Sequence, residues 1–468
     1  MLPAQTAELT SAAPSGVDEA LDLVAVFDRA LENGLGRPGA EQTRALADLA
    51  GAMAATPLGA LVREAADAIG SGTIGDAQTA ALAGARSALI GAVHDALLAA
   101  ADTALGRTRD ADPEPDEPAE APTGPLGGVR SWLTELAVIG WRGVDRDIAG
   151  GADQAIEALL GDPERRRAAV LLDGLAAELQ ANAPVAAMEG LPTRRWADLW
   201  ARAVLLTQDA AQAGPSGTAA PATGRLLPLG ADVHEHGTAV QLQVHAIFEP
   251  ADGGPARLVR AAVSAPKVDV IVGPGVWNLL TDHQVLLGAL ADKRSVKIEG
   301  MPLLDGGDLI WQEELAGLDE PADPFSTARV ALPVAHAPAV PPLERHPVRI
   351  AEPVLLEGYK KGTAADGGPA FDLGDAVLPV DTGRLPGCGP LTEKLVAASS
   401  ACIGLLRWDA GRWSVQPLAV QTTIKRKPAE VHTADWAMGP TDPKVAKAEA
   451  RYDAVNVLRE RSGRLLRK

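Results

Sequence analysis

The sequence predicts a multidomain α+β protein, with a helical N-terminal half, an antiparallel β-rich C-terminal half and a short C-terminal helix. Two observations carry this. Apolar residues recur with a helical period as far as Gln208, and with a two-residue period after Arg225. Two stretches poor in apolar side chains, 107–128 (RTRDADPEPDEPAEAPTGPLGG) and 212–225, lie between the blocks and read as linkers. The chain of 468 residues exceeds one ordinary core. It divides into a helical domain over 1–106, a helical domain with a Trp-rich helix over 129–211, β-rich domains over 226–345 and 346–427, and a basic tail with a helix over 428–468.

The helices follow from the first period. Residues 17–35 (VDEALDLVAVFDRALENGL) are amphipathic, with Ser15 as a cap and Gly34 and Gly36 near the end. Further helices are expected over 40–55 and 59–69, divided by Pro57. Residues 76–105 are an Ala-Leu segment, one helix or two, whose small residues allow close packing. Past the acidic linker, Trp132 and Trp141 lie on an early helix, and Arg165, Arg166 and Arg167 start another as a solvated basic face. Residues 191–208 (LPTRRWADLWARAVLLTQ) join the two halves. Thr193 is expected to cap this helix. Trp196, Leu199, Trp200, Ala203 and Val204 recur along one wide apolar face that fills a core.

The strands follow from the second period. Residues 238–248 (TAVQLQVHAIF) alternate apolar and polar, and 257–263 answer them across ADGGP as a hairpin. KVDVIV (267–272) reads as a strand, 284–292 as a helix, SVKIEG as a strand and MPLLDGGDLIWQ as strand, turn and strand. The Pro-rich stretch 331–347 should cross between lobes. The last β section runs through VLLEGYKKG, PAFDLGDAVLPV, CIGLLRWD and RWSVQPLAVQTT, the last two joined at Ala410 and Gly411. Residues 442–468 read as a charged helix with Tyr452, Val455 and Leu458 on one side.

Composition narrows the function. A net charge of −18 argues against general nucleic-acid binding, which needs clustered Lys and Arg, and against anionic membranes. Residues 423–468 run the other way, with eleven Lys or Arg against six Asp or Glu. The N-terminal residues lack the basic and apolar regions of a signal peptide, and apolar runs are broken by charges, so a cytoplasmic protein without a membrane span is expected. Two cysteines, Cys388 and Cys402, are too few for a disulfide framework or a four-cysteine zinc site, and read as ordinary buried thiols.

No strong catalytic signature is present. His234-Glu235-His236, with His245 further on, is the best metal candidate, since residues two apart on a strand face the same way. No further ligand stands at a diagnostic spacing, so surface histidines before a strand are the better reading. Asp381-Thr382-Gly383 matches the short signature of aspartic proteases, whose chemistry needs two facing carboxylates. One copy here would require a homodimer, and Arg384 and Pro379 fit the pattern badly, so a turn aspartate is favoured. Gly273-Pro274-Gly275 opens like a dinucleotide loop but lacks the third glycine. Lys425-Arg426-Lys427 reads as a solubilising strand end. Neither metal, nucleotide nor flavin is expected as a cofactor.

The WADLWARAVLL helix, the IGLLRWDAGRWSVQPLAVQT hairpin and the Ala-rich start resemble a protein family of high-GC bacteria. Members of that family are encoded beside SWIM zinc-finger proteins, MoxR-type ATPases and von Willebrand A-type proteins. The resemblance covers most of the chain, supplies no active site to carry over, and implies a non-catalytic partner in an ATPase-linked assembly. A non-enzymatic interaction or scaffold protein is therefore expected. Its partner is a protein such as a MoxR-type ATPase or a SWIM zinc-finger protein, and Trp196, Trp200, Trp408 and Trp413 lie in core or interface elements. A hydrolase at Asp381, or a metal enzyme at His234 and His236, is the alternative.

Overall fold

Ala- and Leu-rich segments of high helix propensity build the first half as α1 (Pro3–Ser11), α2 (Val17–Asn33), α3 (Ala40–Met53), α4 (Gly59–Gly70) and α5 (Asp76–Leu105). They continue as α6 (Leu126–Ile139), α7 (Arg146–Ala149), α8 (Asp153–Leu160), α9 (Arg166–Asn182) and α10 (Thr193–Leu206). The computed structural model describes residues 1, 3–112, 126–160, 165–208, 219–236, 238–268 and 270–449. Helices from both sides of the acidic stretch share one core, in which Phe27, Leu31, Leu46, Leu133, Trp141, Trp196 and Trp200 are buried together. The indole of Trp200 donates to the Leu133 carbonyl at 2.9 Å, and Trp196 meets Trp141 edge-on at 6.1 Å.

The 76–105 segment is a single helix of 30 residues. Its first turns pack Leu82, Leu89 and Ile90 into the helical core, while Val93, Leu97, Ala101 and Ala104 pack with Ile350, Val354, Leu356 and Trp408. Among the described helices, α5 alone is long and apolar enough to cross a membrane. An apolar surface on all sides is also what a helix buried within a protein needs. Arg86 and His94 are buried on α5, and Arg86 Nε and Nη2 donate to the Asp28 carboxylate at 2.6 and 2.9 Å.

Two expected caps are corrected. Gly16, in the left-handed region at φ 85°, precedes α2 without a side-chain cap, so Ser15 does not serve. Thr193 is the first helical residue of α10 and Pro192 precedes it as the cap position. The Thr193 hydroxyl donates to Glu32 on α2, a distant partner that local sequence does not reveal.

The second half is antiparallel β-rich. Strands β1 (Ala220–Glu235), β2 (Ala239–Pro250), β3 (Arg257–Pro266), β4 (Arg294–Leu303), β5 (Asp308–Leu309) and β6 (Ala316–Pro321) form a sheet in the order β1-β2-β3-β5-β4-β6. Because β1 also pairs with β4, five of these strands close into a ring, with β6 outside it. Leu226, Phe248, Val259, Val296, Ile298 and Met301 form one buried cluster of this ring. Helix α11 (Gln284–Asp292) packs on it, and α12 (Pro324–Val330) follows β6. A second sheet runs β13 (Lys427–His432), β12 (Arg412–Ile424), β11 (Ala401–Asp409) and β7 (Glu352–Glu357), all antiparallel. A small sheet holds β10 (Val377–Pro379), β9 (Pro369–Asp372) and β8 (Lys360–Thr363). Helices α13 (Glu393–Ala397) and α14 (Pro443–Glu449) complete the described chain. Leu227, Leu229 and Ile247 of the ring share a buried cluster with Leu355, Ile403 and Ala419 of the second sheet.

Three segments depart from the sequence reading. The described residues of KVDVIV form no strand: Val268, Val270 and Val272 are exposed, and the Ile271 amide bonds back to the Val268 carbonyl. Its alternation is genuine, but no strand among the described residues pairs with it. The linker expected over 212–225 gives way to β1 from Ala220; Pro221 and Gly224 hid a strand whose pairing partners lie far along the chain. The linker expected over 107–128 does not hold at its two described ends. Residues 126–128 belong to α6, and Arg107 and Arg109 are anchored by ion pairs, so charges that look solvated in sequence are bound. Residues 113–125, 212–218 and 450–468, with Tyr452, Val455 and Leu458, lie outside the described residues.

Candidate functional site

Strand β7 ends the four-stranded sheet, and among the described residues no strand lies on its outer side. A cleft of about 440 Å³ opens there, lined by the N-terminal residues, the end of α5, α12 and β7. Its apolar wall is Leu105, Ala328, Leu332, Val354 and Leu355, and its polar groups are Gln5, Arg107, Arg329 and Glu357. Concave, mostly apolar surface with a few convergent polar groups is the usual form of a binding site.

Local chemistry fixes each polar group. Asp323 caps α12 by accepting the Ser326 amide, which sets the helix start and directs Arg329. Arg329 donates to Glu357 Oε1 at 2.8 and 3.0 Å and to Gln421 Oε1 at 3.0 Å, so it is tied to the sheet. Arg107 donates to Glu352 Oε2 at 2.6 Å and to the Pro353 carbonyl at 2.7 Å. Arg109 holds Asp102 and also Glu352. Burial pushes the Glu352 carboxyl up, but Arg109 and Arg107 more than reverse that and hold it at about 2. The Met1 amino group donates to the Leu355 carbonyl. Burial lowers its pKa below the ordinary value, against the pull of Glu357. The outer carbonyls of Pro353 and Leu355 thus accept donors from outside the sheet, as an edge strand allows.

The metal candidates do not converge. His234 and His236 stand edge-on with ring centroids 4.6 Å apart. His245 pairs with Gly230 across β1 and β2, whereas His234 pairs with Gln241. Four residue steps along the strand put these positions roughly 13 Å apart. Among the described residues no group of three or more His, Cys, Asp or Glu is placed to hold a metal. His245 is instead fully buried, its Nε2 without a partner, and burial with Arg260 and Arg407 nearby pushes its pKa down to about 3.

Asp381 follows β10 and opens a short turn, where its Oδ2 accepts Arg384 Nε at 2.9 Å and its amide bonds to the Val415 carbonyl. The side chain thus closes its own turn. Gly273 takes φ 60° at the start of a 3₁₀ turn that buries Trp277, whose indole donates to the Cys388 carbonyl at 2.9 Å. Both cysteines are buried and free; burial pushes the Cys388 thiol up to about 12 and raises Cys402 further. Lys425 and Arg426 form the two-residue turn between β12 and β13, both with positive φ. Trp408 and Trp413 are a buried cross-strand pair at 5.2 Å. Arg167, read as part of a solvated face, donates to Glu344 instead.

The cleft residues escaped the sequence reading. Arg107 lies in a stretch whose composition is that of a linker, and Arg329 and Glu357 come together from positions 28 apart in the chain. The one available signal is the apolar VLL of β7 beside a Pro-rich crossing. In comparison with known proteins, no family model, no curated protein and no solved structure matches the chain.

Proposed function

We propose that this is a non-enzymatic interaction protein that takes an extended segment of a protein partner along the outer side of β7. One observation carries the reading: a cleft with an apolar wall and a tethered polar rim runs along the outer side of an edge strand, where an incoming segment would displace the Met1 and Arg107 donors from the Leu355 and Pro353 carbonyls. Strand addition to such an edge draws affinity from main-chain bonds and specificity from alternate side chains. The groups that suggested chemistry are engaged otherwise, Asp381 by Arg384 and the cysteines by burial. The resemblance to proteins encoded beside MoxR-type ATPases and SWIM zinc-finger proteins supplies the partner class, and an accessory role in a cytoplasmic ATPase-linked assembly is part of the same proposal.

The test is recovery of the tagged protein from its host, followed by hydrogen exchange on the purified complex. The outward-facing amides of Leu355 and Glu357 should gain protection when the partner is bound. A partner that binds without slowing exchange there removes the cleft from the interaction. A solitary protein that cleaves peptides, and stops when Asp381→Ala is introduced, overturns the non-enzymatic reading in favour of the hydrolase.

A further inference from the structure

Away from the cleft, Arg167 and Arg349 share one carboxylate, and Arg202 of α10 lies close enough for its charge to act on both. Arg167 lies in the first turn of α9, Arg202 on α10, and Arg349 in the short turn Pro347–Arg349. Arg167 Nη2 reaches one carboxylate oxygen of Glu344 and Arg349 Nη1 the other, so a single acid bridges two of the three. Arg202 is half-buried and has no hydrogen bond or ion pair among the described residues. Arg167 repels Arg202, and both repel Arg349.

The surrounding acids are spent. Asp198, one turn before Arg202, forms ion pairs with Arg86 Nη1 at 2.7 Å, His346 Nε2 at 3.1 Å and Arg194 Nε at 3.8 Å. Asp308, which faces Arg349, is held bidentate by Arg260 at 2.7 and 3.0 Å. Gathering cations costs energy unless an anion joins them, and in a chain of net charge −18 such a local surplus runs against the whole. The cluster is also open, since the side chains of Arg167 and Arg349 keep 39% and 42% of their exposure.

We propose that Arg167, Arg202 and Arg349 form a binding site for a small phosphate-class oxyanion. The fork of each guanidinium matches two oxygens of such an anion, and three neighbouring cations suit the higher charge of a phosphate better than that of a single carboxylate. Glu344 occupies two of the forks when the site is empty. It competes with the ligand and keeps the cluster together in its absence.

Calorimetric titration of the full chain with inorganic phosphate, against chloride at matched ionic strength, tests this. Saturable phosphate uptake is expected. Arg202→Gln should weaken it by about tenfold, the scale of one lost charge-assisted contact. Glu344→Gln should tighten it several-fold by freeing Arg167 and Arg349, an effect that damage to the fold does not produce. That variant also keeps the test decisive if Arg202→Gln fails to fold. Inorganic pyrophosphate forms a second arm: tighter binding than phosphate assigns the site to phosphoanhydrides, and equal binding to single phosphate groups. Uptake no greater than chloride's, or an Arg202→Gln protein that folds and binds phosphate unchanged, overturns the proposal.

Discussion

Replacing His245 should remove a defined share of the protein's sensitivity to acid. The imidazole is 1% exposed, its Nε2 has no partner, and its pKa falls from 6.5 to about 3. Burial is the main cause; Arg260 and Arg407 add to it and Glu352 opposes it. A histidine lowered in the folded state leaves stability intact above the unfolded value, and stability drains as pH falls below that value, because the unfolded chain takes the proton first. Each unit is about 1.36 kcal/mol. Between about pH 7.5 and pH 5 the unfolded histidine becomes charged while the folded one does not, which amounts to about 2 kcal/mol of lost stability. His245→Leu abolishes that term, and its packing cost is the same at both pH values. Urea unfolding of both proteins at the two pH values gives the four free energies. The wild type should lose about 2 kcal/mol more than the variant. Equal losses would show that His245 titrates normally and would refute the reasoning.

Two further predictions rest on buried groups. Arg86→Leu strands the Asp28 carboxylate in the core and should cost about 3–5 kcal/mol in urea unfolding, with most of it recovered in the Arg86→Leu/Asp28→Leu double variant; a single variant within about 1 kcal/mol of wild type contradicts this. Cys388 and Cys402 are buried with raised pKa values, so a thiol reagent at neutral pH should label neither in the native protein and both after denaturation, and rapid native labelling would place a cysteine at the surface.

Periodicity made the halves legible because each helix or hairpin meets its neighbours through the pattern it carries locally. The Trp196 and Trp200 face and the β2–β3 and β11–β12 hairpins appear where that pattern puts them. What stayed hidden depends on partners remote in sequence. Strand β1 reads as a linker because Pro221 and Gly224 interrupt it, and only β2 and β4 together define it. KVDVIV has the alternation of a strand, but no strand among the described residues pairs with it. The cleft and the arginine cluster are less legible still. Arg107 acquires its role from Glu352, and Arg167 from Glu344, across hundreds of residues or nearly so, and no spacing rule connects such pairs.

Helix α5 fixes a phase between the two halves. Arg86 must face Asp28 in the helical core, while Leu97, Ala101 and Ala104 must face the cluster around Val354 and Trp408. At 3.6 residues per turn, one residue inserted or deleted between Ile90 and Val93 would swing the far end by about 100° and slide it by about 1.5 Å. The ionic contact and the sheet contact could not then both be kept. Substitutions along α5 are therefore judged one site at a time, but its length is not adjustable: drift in residue count is forbidden there even where drift in residue type is tolerated.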